Sequence, residues 1–151
     1  MTFDRAVIWF NRLLLAAAAF VMTMIAIRNL QDPIGATAPL GIALRSASAV
    51  TIARVGFGGF PLGFAAALIG CLVSTRRLLT GAALVLAVVG GATVARVQGL
   101  LVDGATPYNL GLLRPEIAMV TLSALGAFLE RRRRATHEVV SSAGSFAPRA
   151  Q

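Results

Sequence analysis

Lysine is absent from this chain, and cysteine and histidine occur once each. A lone thiol, Cys71, can form neither an internal disulfide nor a C-x-x-C redox pair. It lies among Ile69, Gly70, Leu72 and Val73, where it reads as a small apolar residue. The one histidine, His137, sits in a polar tail, so no Cys/His cluster exists to hold zinc, haem or an iron–sulfur centre. Neither a metal nor any other cofactor is expected. Charge is scarce as well: 13% of residues, where soluble domains carry about 25%. The net charge of +8 is carried by arginines at segment ends. Nucleic-acid binding would need a basic face on a soluble fold, so that function class is set aside.

Apolar sequence fills the space. Hydrophobic residues make up 57% of the chain and gather in four long stretches. The expected fold class is all-α: a polytopic membrane protein built as a four-transmembrane-helix bundle. The spans are placed at about 8–27, 51–73, 78–101 and 115–131. They form one domain over 1–134, followed by a disordered cytoplasmic tail at 135–151. A cleaved signal peptide is not expected, because Arg28-Asn29-Leu30-Gln31 offers no small-residue cleavage site after the first run.

Residues 28–53 read as a linker broken by Asp32-Pro33, Gly35 and Pro39. Span 2 carries Gly59 and Gly63 four residues apart, with Pro61 between them as a kink. Span 3 carries Gly91, Ala95 and Gly99, so spans 2 and 3 are expected to pack closely through these small residues. Ser74-Thr75-Arg76-Arg77 is the tight basic turn between them. Span 4 is taken to start at Pro115, a residue favoured at the first helical position. Its apolar part is then too short for a hydrocarbon core of about 30 Å. Glu116 or Glu130 must approach the membrane boundary or be sheltered by neighbouring helices.

Arginine placement sets the orientation. Eight arginines fall on one side: Arg5, Arg12, Arg76, Arg77 and Arg131 to Arg134. Five fall on the other: Arg28, Arg45, Arg54, Arg96 and Arg114. The richer side is cytoplasmic by the positive-inside rule, which puts both termini inside. A bacterial inner membrane is the simplest compartment.

Arg54 and Arg96 stand inside apolar spans, and Glu116 opens the fourth. An ionisable group costs about 2.5–3.5 kcal/mol at mid-bilayer on insertion scales, so such groups face the bundle interior and pair. Arg54, Arg96, Asp103 and Glu116 are therefore expected to converge in the outer half of the bundle as a ligand-binding site. The outer set holds five arginines against three carboxylates, a surplus that suits an anion. The same groups could simply lock helices together. No residue is assigned a catalytic role.

These features (Arg54 followed by Gly58-Gly59 and Gly63, Arg96 followed by Asp103-Gly104, and Glu116 heading span 4) resemble a bacterial family of small four-span membrane proteins catalogued as a domain of unknown function. They resemble DoxX-like four-helix proteins more distantly. The resemblance covers roughly residues 7 to 130. It implies a compact four-helix bundle and transfers no catalytic residue.

The functional expectation is a non-catalytic accessory or ligand-binding membrane protein. A membrane-embedded enzyme acting on a lipid-like substrate and a small transporter are the alternatives. The partners implied are the lipid bilayer and an anionic or lipid-like ligand. A membrane-protein partner or a homo-oligomer stays open.

Overall fold

The computed structural model describes residues 3–145, with side chains to residue 136. It is all-α, with no strand among the described residues. Helix α1 spans Phe3–Gln31 and is followed by the short α2, Pro33–Thr37, and a 3-10 turn, Ala38–Leu40. Helix α3, Ala47–Ala53, runs through a π-helical stretch, Arg54–Gly59, into α4, Phe60–Leu72. A 3-10 turn, Thr75–Arg77, leads to α5, Leu78–Val102, and then to α6, Pro107–Ser145. Four helical stretches are long and apolar enough to cross a membrane: Phe3–Gln31, Ala47–Leu72, Thr75–Val102 and Pro107–Thr136. Large apolar side chains are exposed along all four, Phe20, Phe60, Leu101 and Phe128 among them. The chain is a multi-pass membrane protein of the expected fold class.

The chain divides into two compact units. The first combines residues 1–14 with 75–151, so it holds the start of α1 together with α5 and α6. Its core is read from helical spacing. Leu78, Ala82, Val85 and Val89 form one buried stripe of α5. Ser123, Gly126, Ala127 and Glu130 form another on α6. Val7, Asn11 and Leu14 supply the α1 face. At the crossing of α1 and α6 the Asn11 side-chain amide donates to the Val7 carbonyl (3.1 Å) and to the Gly126 carbonyl (3.3 Å). A Cβ on Gly126 would lie 2.5 Å from the Asn11 Oδ1 and 3.3 Å from Leu14 Cδ2. Glycine is required there because the two helices touch backbone to side chain.

The second unit is residues 15–74. Asp32 caps α2 by accepting from the Gly35 N–H (2.9 Å), and Ser46 caps α3 by accepting from the Ala49 N–H (3.1 Å). The linker of the sequence reading is thus partly helical. Gly58, in the π-helical stretch, packs against Leu30 of α1: a Cβ there would lie 2.8 Å from Leu30 Cγ. Pro61 follows directly and has no N–H to give, consistent with a ladder that departs from α geometry at this point.

Two expectations change. Span 4 begins eight residues earlier than Pro115, at Pro107, and Pro115 lies within α6. Thr106 caps this start by accepting from the Asn109 N–H (3.2 Å), and Pro107 fills the first helical position. The helix then crosses with length to spare, at about 1.5 Å per residue. It also continues beyond the four arginines to Ser145, into the tail expected to be irregular. The remainder of that tail, 146–151, lies outside the described residues. Within their own units, a Cβ at Gly63 or Gly91 meets nothing within 4 Å. The tight helix–helix approaches within the units are at Gly58 and Gly126.

Replacing Gly126 by Ala should therefore cost about 1–3 kcal/mol, the usual range for overpacking. Gly63→Ala should be neutral or slightly stabilising, since Ala is the better helix former. Thermal unfolding of the two variants in detergent checks the contrast. Equal melting temperatures would remove the α1–α6 contact.

Candidate functional site

Arg96 comes from the last third of α5 and Glu116 from α6 just after Pro115. The helices run side by side, joined by a short loop. Asp103 ends α5, and Gly104 adopts the left-handed φ of +96° that turns the chain back. Across this hairpin Arg96 grips Glu116 with the Nε–Nη2 edge of its guanidinium. Its Nε donates to Oε2 at 2.8 Å and to Oε1 at 3.0 Å, and its Nη2 donates to Oε1 at 2.7 Å. This is the bidentate fork that makes arginine–carboxylate pairs strong and directional. The side chains are 24% and 17% exposed, so the pair is shielded without being sealed.

Asn109 completes the site. Its Oδ1 accepts from the Arg96 Nη1 at 3.2 Å. The cap that starts α6 positions this residue, because Thr106 accepts the Asn109 backbone N–H. Sequence reasoning missed Asn109 by placing it in a loop. Thr106-Pro107, a capping residue ahead of a proline, was the signal that could have found it.

Of the four residues expected at the site, the structure brings Arg96 and Glu116 together. Asp103 lies in the same unit but is exposed at the end of α5, and among the described residues its carboxylate makes no hydrogen bond or ion pair. Arg54 belongs to the other unit, where it opens the π-helical stretch with its side chain exposed.

A second polar cluster sits at the opposite end of the α5–α6 hairpin. Glu130 is fully buried. Both of its oxygens accept from Arg133, at 2.9 Å from Nε and 2.7 Å from Nη2, and Oε1 also accepts from the Arg134 Nε at 3.1 Å. Arg134 reaches on to donate from Nη2 to the backbone carbonyl of Arg76 at 2.7 Å. Glu130 is thus sheltered by arginines of its own helix, and the short-span argument for shelter falls away with the start of α6 at Pro107. Beside it, Arg12 stacks over the Trp9 ring (5.6 Å) and Arg132 over Phe128 (5.5 Å).

Comparison of the chain with protein-family models, curated proteins and solved structures gives no match.

The pair can be weighed by cutting it from either side. Glu116→Ala leaves a shielded guanidinium without its anion, and breaking a buried pair typically costs about 3–5 kcal/mol, less where water reaches it. The double change Arg96→Met with Glu116→Leu should recover most of that loss, since no charge is then left behind. A double-mutant cycle on melting in detergent reads the coupling. Additive single and double effects would show that the pair does not hold the hairpin.

Proposed function

We propose that the chain is a non-catalytic accessory membrane protein that binds an anionic or lipid-like ligand at the Arg96–Glu116 site, with Asp103 near its mouth. The observation that carries this reading is the shape of the Arg96 grip. Both Glu116 oxygens are held by a guanidinium that stays charged at any physiological pH. A carboxylate so bound is poorly placed to accept a substrate proton, which a general base must do. The remaining nitrogen of Arg96, Nη1, faces only the neutral Asn109 oxygen. A phosphate or carboxylate from a ligand can replace that amide oxygen more readily than it can replace Glu116, and it would meet a fork already oriented for it.

The same reading places the chain in the inner membrane of a bacterium, with both termini in the cytoplasm. Four crossings return the chain to its starting side, and eight arginines mark that side. The likeness to small four-span proteins of unknown function belongs to this reading on the four spans alone, since Glu116 lies within the last span and not at its head. The exposed apolar side chains suit the lipid bilayer and leave area for a membrane-protein partner or a second copy.

Native mass spectrometry of the protein extracted with its lipids should show one anionic amphiphile more on the wild type than on Arg96→Gln. Asn109→Ala should keep or strengthen that adduct, because it frees Arg96 Nη1. Equal adduct stoichiometry in the wild type and Arg96→Gln would defeat the assignment of this site. Topology has its own test. Cys71 is buried, so an introduced thiol reports alone. Asp103→Cys should react with an impermeant maleimide in intact cells, and Ala135→Cys only after permeabilisation. The reverse pattern would invert the protein.

A further inference from the structure

The end of the hairpin opposite Arg96 carries an open cleft of about 420 Å³, lined by Thr75, Arg76, Arg133 and Arg134. Leu78 and Arg96 are the near and far ends of one helical run, so the two polar sites stand about 30 Å apart at 1.5 Å per residue. The cleft volume falls in the range that encloses a small ligand or headgroup.

Its chemistry is one-sided. Three guanidinium groups and a hydroxyl-bearing residue line it, and no carboxylate does. Glu130 is close by but fully buried, and its oxygens are occupied by Arg133 and Arg134. Asp4 interacts electrostatically with Arg133. Even with both carboxylates counted, positive charge is in excess. Glu130 also has a structural role here. By holding Arg133 through two nitrogens and Arg134 through one, it fixes both forks before any ligand arrives, which lowers the ordering cost of binding. Arg134 is pinned a second time by the Arg76 carbonyl. The guanidinium of Arg76 is exposed and makes no hydrogen bond among the described residues. The arrangement is two fixed forks and one free arm around an open space.

We propose that this cleft binds the phosphate group of an anionic lipid headgroup, with Arg76 as the arm that closes on it. The setting fits a lipid source. Trp9, with Arg12 over its ring, is the kind of residue that sits at headgroup level and belongs to the same unit, and Arg132, stacked over Phe128, precedes the cleft residue Arg133 in sequence. Basic pockets between membrane helices on the cytoplasmic side recognise anionic headgroups by this chemistry. Free phosphate shares the chemistry and is separated by experiment. The inference is independent of the ligand at Arg96.

The test is native mass spectrometry of the full chain in detergent, titrated in turn with phosphatidylglycerol, phosphatidylcholine and inorganic phosphate. Phosphatidylglycerol should be retained over phosphatidylcholine. Arg76→Gln should lower that retention about fivefold, the worth of one arginine at an anionic surface. Arg76→Lys should keep most of it, and Arg45→Gln, at an exposed arginine of the other unit, should leave it unchanged. Arg76 has no side-chain partner, so Arg76→Gln should melt as the wild type does. Raising the salt concentration should strip the lipid from the wild type below its melting temperature, a reading that needs no variant. Saturable binding of inorganic phosphate that is lost in Arg76→Gln, without lipid selectivity, would support the phosphate site with a soluble source. Equal retention of the two lipids with no phosphate binding, or retention indifferent to both Arg76→Gln and salt, would overturn the proposal.

Discussion

Hydrocarbon gives charge nowhere to go, and the apolar span of α6, Pro107–Thr136, carries two carboxylates. Everything tight in the α5–α6 hairpin answers that constraint. Glu116 is held by Arg96 from the facing helix, and Glu130 is held by Arg133 and Arg134 from its own next turn. The two solutions differ in kind. The first spans two helices and so fixes their relative position. The second lies within one helix, at i+3 and i+4, and ties outward only through the Arg134 bond to the Arg76 carbonyl. One end of the hairpin is therefore clamped through side chains, and the other through a side chain gripping a backbone turn.

The four spans were legible because hydrophobicity over some twenty residues is a strong and additive signal. Their ends were not. Span 4 was read from Pro115 because Tyr108, Asn109 and Arg114 lower the apolar content ahead of it. Thr106-Pro107 and Arg114-Pro115 are both plausible helix starts, and only the first has a capping side chain that closes on the backbone. The arginine run after Glu130 was taken as a stop. Arginine is a good helix former, and α6 passes straight through it. Spacing alone does not say which glycine faces a neighbour, and within the units the close helix–helix approaches are at Gly58 and Gly126.

The polar site was legible where it was expensive. Arg96 and Glu116 stood out because ionised groups in apolar sequence demand a partner. Asn109 did not, because a neutral amide in an apparent loop carries no such demand. The cleft at the other end was hidden by its own abundance of charge. Arg76, Arg133 and Arg134 read together as an orientation signal, and that reading leaves no reason to ask what they surround. Only the burial of Glu130 behind them separates a built arrangement from a solvated basic flank.

The π-helical stretch in the second crossing changes the phase of everything after it. A π turn takes up one residue more than an α turn, and one residue is about 100° of rotation. From buried Ala53, an unbroken α-helix would next turn Phe57 and Phe60 inward. Both are instead exposed, and the inward positions are Gly58, Ala65 and Leu68, each a step late. The slip exchanges two aromatic rings for one hydrogen atom on the face that meets Leu30. A helical wheel drawn through residues 51–73 thus mislabels its lower half, and removing one residue from 54–57 would swing the later face back by the same angle, bringing bulk to the spot against Leu30 where a methyl group already has no room.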